Sequence, residues 1–344
     1  MTKLADFSSA DLRYVAYGGA DGKDSIYFNG KYYLLKYPKK LPQARAKEKL
    51  SYTNSPTSEH LGCEIFKSVG IDAQNTILGT CDGKIVVACE DFIENHPDNS
   101  RLRLQEFNTM INSMVDFELA SGTRRTAELS DIEQVFLHHR RLSQIKEEAI
   151  CAYWDMFVVD ALIANFDRHT GNWGYITNLD TGEINLAPVY DCGASLFSQL
   201  DDRFLIPLLN NKGELNNYIL NMPTAPFSVD GLKVTYREFL NHGCNENMQA
   251  ALDRVVPRID IGVIAKLIDT CPGLSDARKE FLLTIVPARL EKVLVPAYQR
   301  NKDKPLSYSP PKKEPLSDRI DRAQAAAKAA KVTKTTERNN SQPR

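Results

Sequence analysis

Asp167, Asn172 and Asp191 carry the chemistry this sequence is equipped to do. Asp167 and Asn172 stand five positions apart in Asn165-Phe-Asp-Arg-His-Thr-Gly-Asn172, and Asp191 follows nineteen residues later in Tyr-Asp-Cys-Gly. A carboxylate can accept a proton, while an amide oxygen and a second carboxylate are hard oxygen donors of the kind Mg2+ prefers. One base beside one cation site suits phosphoryl transfer, in which a protein orients a hydroxyl, holds a nucleotide and neutralises spreading charge. Singly, each residue has a plainer reading: Asp-Arg-His as a surface charge cluster, Asn172 as a turn residue, Asp191 as a cap or turn former. In this order and at these intervals the three are much harder to dismiss. His169 could orient the loop by hydrogen bonding and ranks behind Asp167 as a base.

The flanking sequence supplies the elements such a site needs. Five residues is the interval between base and metal-binding Asn in a protein-kinase catalytic loop, and Asp191 precedes Cys-Gly as a kinase magnesium Asp precedes Phe-Gly. Ile150 to Ala164 is a largely apolar run without Gly or Pro, long enough for a buried helix. Trp173-Gly-Tyr-Ile and Ile184 to Tyr190 read as short strands joined by a turn over Asn178 to Gly182. Helix, loop, hairpin and metal Asp form the order of a helical catalytic lobe.

Residues 1–95 read as a small nucleotide-binding lobe. Tyr17-Gly-Gly-Ala-Asp-Gly-Lys-Asp-Ser25 is a Gly-rich turn whose Gly18, Gly19, Gly22 and Lys23 could approach phosphates, although its spacing is not G-x-G-x-x-G. Ile26-Tyr-Phe, Asn29-Gly and Lys31 to Lys36 make a hairpin, with Lys36 placed to project toward phosphates. Leu61, Ile65, Phe66 and Val69 have helical spacing, with Thr57 or Ser58 as cap and Gly70 as terminator. Glu59 or Glu64 of that helix could pair with Lys36. A second hairpin crosses Asp82-Gly83 and ends at Glu90, running into Asp91-Phe-Ile, a hinge whose backbone would meet adenine. Residues 96–299 form the second lobe. In it 101–164 read as helical with a linker near Ala120, and 193–232 as irregular, with Ser195 and Ser198 as conceivable phosphoacceptors. Residues 246–298 read as helices, the last, Asp276 to Leu294, kinked or broken at Pro287.

Composition narrows the class. The chain has 344 residues, enough for two lobes and a tail, and is 42% hydrophobic and 25% charged, ordinary for a globular protein. No apolar window is long enough for a membrane span, and the N-terminus lacks a signal-peptide core. Seven scattered cysteines without a C-x-x-C pair argue for free thiols, a reducing compartment and no zinc site, so a cytoplasmic setting without a membrane partner is expected. From Arg300 onward twelve Lys or Arg face five Asp or Glu, a balance of +7, which leaves −8 on residues 1–299 from the net −1. The acidic body does not read as a nucleic-acid binder. Residues 300–344 read as a basic, disordered tail with one short helix at Ala323 to Lys331.

Tyr17-Gly-Gly, Tyr33-Leu-Leu-Lys36, Ser58-Glu59-His-Leu-Gly-Cys63, Trp154 to Ile163, Asn165-Phe-Asp-Arg-His-x-Gly-Asn-Trp-Gly and Leu186-Ala-Pro-Val-Tyr-Asp191 together resemble the HipA-like serine/threonine kinases. The resemblance runs from about residue 10 to residue 298 and is nearest to the family's shorter branch. It implies an α+β, two-lobed atypical kinase fold with a small antiparallel-sheet lobe and a mainly helical lobe. It implies transfer from ATP, with Mg2+, to a Ser or Thr hydroxyl of a protein substrate. It makes Asp167 the base, Asn172 and Asp191 the metal ligands and Lys36 the phosphate-contacting lysine. Glu59 becomes the partner of Lys36, and Gly18 to Lys23 the loop over the phosphates. Family members autophosphorylate a serine in that loop, for which Ser25 is the nearest candidate here. The chain is too short for the extra N-terminal subdomain of the longer toxin members, so an antitoxin partner is not carried over. Two other readings compete: a small-molecule or lipid kinase, since Asp-Arg-His-x-x-Asn also serves phosphatidylinositol kinases, and a non-catalytic toxin–antitoxin module working through the basic arm.

Overall fold

The computed structural model describes residues 4–13, 23–38, 54–114, 127–242 and 245–303. Gly18, Gly19 and Gly22, the linker near Ala120 and the tail beyond Asp303, with its Ala-rich segment, lie outside them.

Two left-handed dipeptides build the first sheet. Asn29 and Gly30 have φ of 49° and 82°, and Asp82 and Gly83 have 50° and 73°, the geometry of tight turns whose twist matches that of the strands they join. The first turn joins β3 (Lys23–Phe28) to β4 (Lys31–Lys36), and the second joins β5 (Thr76–Cys81) to β6 (Lys84–Glu90). With β1 (Ala5–Asp6) and β2 (Asp11–Arg13) they form a sheet of order β1-β5-β6-β4-β3-β2, in which β1 runs parallel to β5 and the other pairs are antiparallel. Alternation along β4 sends Tyr33 and Leu35 into a small core with Phe7, Ile26, Val86 and Ala88. Lys36 therefore falls on the opposite face, where helix α1 (Ser55–Ser68) packs on β5 and β6.

Helix α1 starts a turn earlier than Thr57 or Ser58 would set it. Asn54 is its N-cap residue and Pro56 sits in the first turn, where a missing N–H costs nothing. The Thr57 hydroxyl donates to the Asn54 carbonyl at 2.9 Å, and Ser58 is buried within the helix.

The mainly helical part is organised around α4 (Lys146–Ile163), preceded by α2 (Phe107–Met114) and α3 (Leu129–His138). Being apolar on nearly every face, α4 is buried along most of its length. It stops at Ala164, whose φ of 53° is left-handed, with the Asn165 amide on the Asp160 carbonyl at 3.0 Å. Strands β9 (Gly174–Asn178) and β10 (Ile184–Leu186) follow the loop. Contrary to the helical reading of 101–164, Leu102–Glu106 is a strand, β7, paired antiparallel with β9. Its alternating Leu102-Arg-Leu-Gln is a two-residue period, and β9 supplies the edge it needs.

Residues 193–232 are more ordered than their sequence suggests. Helices α5 (Asp202–Asn210) and α6 (Lys212–Asn221) lead to β11 (Thr224–Val229), which pairs with β12 (Leu232–Thr235) and, in parallel, with β8 (Ala127–Glu128). Ser195 and Ser198 are fully buried, which removes them as accessible phosphoacceptors. Helices α7 (Tyr236–His242), α8 (Glu246–Val255), α9 (Ile261–Thr270), α10 (Asp276–Arg289) and α11 (Val295–Asp303) close the fold. Pro287 does not break α10. The irregularity comes just after it, as a π-helical turn over Leu290–Leu294. The tail's first residues are still helical, and Arg300 donates to the Asn241 carbonyl at 3.3 Å. Among the described residues no helix is long and apolar enough to cross a membrane.

Candidate active site

Lys36 joins the sheet to the Asp191 segment. Its Nζ lies 3.1 Å from Glu59 Oε1 on α1 and 3.1 Å from Asp191 Oδ1, so residues distant in sequence converge on one ammonium. Burial pulls the Lys36 pKa down, but Asp191 and Glu59 overcome it and hold the pKa well above the ordinary lysine value. Glu64 is turned away on the same helix and pairs with Lys67 at 3.0 Å.

Two glycines permit this convergence. A Cβ on Gly62 would lie 2.6 Å from Cys192 Cβ, and one on Gly193 would lie 2.9 Å from Glu59 Oε2. Only hydrogen at those positions lets α1 and the Asp-Cys-Gly segment approach closely enough for Lys36 to bridge them. Asp191 itself has φ of 57°, a conformation uncommon outside glycine but more accessible to Asp than to bulkier residues.

The catalytic loop is held by its own polar side chains. Asn165 Oδ1 accepts from the Asp167 amide at 3.1 Å, and Asn172 Nδ2 donates to the Asp167 carbonyl at 2.7 Å. That bond commits the amide nitrogen of Asn172 and leaves Oδ1 as the atom suited to a cation. The His169 ring accepts from the Gly171 amide at 3.0 Å, a loop-shaping contact. Asp167 and Asp191 remain partly exposed, whereas Asn172 is buried.

Arg168 and Asp160, to which the sequence reading gave no role, frame this loop. Arg168 Nε donates to Asp160 Oδ2 at 2.8 Å, and Nη1 donates to the carbonyls of Asn172, at 2.8 Å, and of Tyr190. Its Nη2 reaches Cys192 Sγ at 3.3 Å. One guanidinium thus ties the residue before Asp191, the residue after it and Asn172 into one frame. Burial alone pushes Asp160 up, opposed by Arg168; burial acts downward on Arg168, but Asp160 holds it well above the usual guanidinium range. The signal was present: an Asp inside the apolar run Trp154 to Ile163 demands a buried cation.

Three other residues singled out in the sequence lie in the first sheet. Lys23 lies in β3 opposite Lys36. Glu90 spends its carboxylate on Lys31 and Asn75, at 2.7 and 3.1 Å, and its carbonyl accepts from Gln74 Nε2 at 3.0 Å. Its polar groups therefore brace the end of β6. Ser25 is only 2% exposed, within the sheet.

A family model described as the HipA-like C-terminal domain matches residues 15–255. The chain belongs to the HipA-like kinase family. As a HipA-like chain it is 37% identical over 291 residues to the serine/threonine-protein kinase CtkA of Helicobacter pylori, which covers 83% of this chain and 84% of the relative. The crystal structure of that proinflammatory kinase matches with a TM-score of 0.76 and 32% identity, over 88% of this chain and 99% of the other. HipA of Shewanella oneidensis, solved with HipB and operator DNA, matches with a TM-score of 0.51 at 14% identity, over 84% and 68%. The last likeness is one of fold. The HipA-like chain is a phosphotransferase of α+β, kinase-like architecture.

Proposed function

We propose that this HipA-like kinase transfers the γ-phosphoryl group of ATP, with Mg2+, to a Ser or Thr hydroxyl of a protein substrate. The observation that carries the reading is the ammonium of Lys36 held 3.1 Å from both Glu59 and Asp191. A lysine so placed can orient phosphates while its helix partner keeps it in position. The donor set fits the cation. Among the described residues no group of three or more His, Cys, Asp or Glu could enclose a metal, and Mg2+ is typically held by one or two protein oxygens together with phosphates and water. Asn172 Oδ1 and Asp191 would be those oxygens, and the cation would neutralise charge on the transferring phosphoryl group.

The chain's own residues then divide the work. Asp167 accepts the hydroxyl proton as the Ser or Thr oxygen bonds to the γ-phosphorus and the bond to the β-phosphate oxygen breaks, leaving ADP. Asn165 and Asn172 fix the backbone of Asp167 from either side. Arg168 keeps Asn172 and Asp191 in register. The protein substrate and autophosphorylation belong to this proposal; the burial of Ser25 means that any modification there requires β3 to open.

The test is incubation with γ-labelled ATP and Mg2+, alone and with lysate. Label enters protein with the wild-type chain, and Asp167→Ala and Asp191→Ala lose it. Undiminished labelling by both variants would sink the proposal, and label entering only small molecules would move it to a small-molecule kinase.

A further inference from the structure

Helix α10 carries Arg278 and Arg289 eleven residues apart, which places both on nearly one face about 16 Å from each other. Both guanidiniums are buried, and neither is paired with a carboxylate among the described residues. Taking such an ion out of water without a counter-charge is costly unless its donors are used. Arg289 uses them to close the ends of two helices. It donates to the Ala161 carbonyl of α4 at 2.7 and 3.0 Å, and to the Ile219 and Met222 carbonyls at and just beyond the end of α6. Arg278 is different.

Arg278 donates from Nη1 to the Phe197 carbonyl at 3.1 Å and from Nη2 to the Leu196 carbonyl. Its Nε has no partner, and its face lies 5.8 Å from the centre of the Phe281 ring. Burial pushes its pKa down to about 9 against the pull of Asp202. The two carbonyls it holds belong to consecutive residues with φ of 55° each, left-handed in a Leu and a Phe. Such conformations persist only where surrounding contacts over-determine them. The same short segment is tied to the catalytic machinery on its other sides. The Leu196 amide donates to the Ile163 carbonyl at 2.6 Å, the Phe166 amide to the Ala194 carbonyl at 3.4 Å, and the Ser195 hydroxyl to the Ser58 carbonyl at 3.4 Å. Ser58 adjoins Glu59, and Phe166 adjoins Asp167.

We propose that Arg278 is a positioning residue for phosphoryl transfer, which locks the strained Leu196–Phe197 carbonyls and so holds the Asp191 segment in register with the catalytic loop and the Glu59 helix. It touches no reacting atom. The proposal rests on the function proposed above, because it assigns Asp191 to the cation.

The full chain, Arg278→Met, Arg278→Lys and Arg289→Met are compared in three measurements: thermal unfolding, hydrogen exchange of the ligand-free protein, and Mg2+ titration of fluorescent ATP-analogue binding. Met keeps volume without donors, and Lys keeps the charge but cannot serve both carbonyls. Both Arg278 variants are expected to lose protection at the Leu196 and Ser198 amides and to need about 10-fold more Mg2+ for half-saturation, the scale of loss for residues that support metal ligands. Arg289→Met is expected to unfold at lower temperature with unchanged half-saturation. Unchanged exchange and half-saturation in a folded Arg278 variant overturns the proposal, as does failure of both Arg278 variants to fold, which makes the residue structural only. Absence of Mg2+-dependent nucleotide binding in the wild type instead overturns the functional reading beneath it.

Discussion

Two cation–carboxylate groups flank the Asp191 segment and differ in how far they are sealed. Lys36 is 15% exposed and its partner Asp191 is 32% exposed, whereas Arg168 and Asp160 are 1% and 0% exposed. The open group uses an ammonium, a compact charge on a flexible stem that can be shared between carboxylates and an incoming phosphate. The sealed group uses a guanidinium, whose fixed fork makes several directed bonds at once. The difference separates work from support. A pair that must meet ligand keeps one partner in reach of solvent, while a pair that must hold a frame is closed off and its donors are consumed.

The comparison breaks first at Asp160. Asp160→Ala leaves Arg168 buried without its carboxylate, and the expected loss is about 3–5 kcal/mol in urea unfolding. A loss below about 1 kcal/mol would show that Arg168 frames the loop through carbonyls alone. Asp191→Asn is the opposite case: Lys36 retains Glu59, so the unfolding midpoint should hold while transfer falls about 10²–10³-fold. A parallel fall in stability would make Asp191 part of the frame.

Gly62→Ala probes the close approach on which the open group depends. Its Cβ would stand 2.6 Å from Cys192 Cβ, and an expected cost of about 1–3 kcal/mol should accompany weaker nucleotide binding. A variant with native stability and affinity would show that α1 can slide without parting Lys36 from Asp191.

Acidity sharpens the same contrast. Because the folded-state pKa of Lys36 is raised, its stabilisation is fully present below the unfolded value of 10.5 and is lost as pH rises through the higher folded value. The stability gap between wild type and Lys36→Met should therefore stay level from about pH 7 to pH 10; a gap closing in that window would contradict the paired geometry. At the weak end, Arg203→Ala removes a surface pair with Asp201, in which Arg203 is 86% exposed, and should leave unfolding and transfer unchanged.

The legible parts of the site were local ones. Asp167 and Asn172 share one loop whose turn residues bond to each other, so their spacing alone carries the geometry. The Asn-Gly and Asp-Gly turns fix their hairpins through their own left-handed φ values. The strand β7 was missed because five residues of alternating Leu, Arg and Gln become a strand only when β9 offers an edge. Ser195 and Ser198 read as loop serines because nothing near them in sequence tells of the helices that bury them.

The sequence by itself determined which chemistry is possible: a base, two oxygen ligands, a lysine and a choice of glutamates. Tertiary structure decided the choice. Glu59 and Glu64 lie on one helix about 140° apart around its axis, and only the seating of α1, let in by Gly62 and Gly193, turns Glu59 to Lys36 and Glu64 to Lys67. Likewise, only packing brings Arg278 to carbonyls about eighty residues away. Side-chain type is a property of the chain, but which charges meet depends on which faces the core presses together, since burial makes each unpaired charge costly.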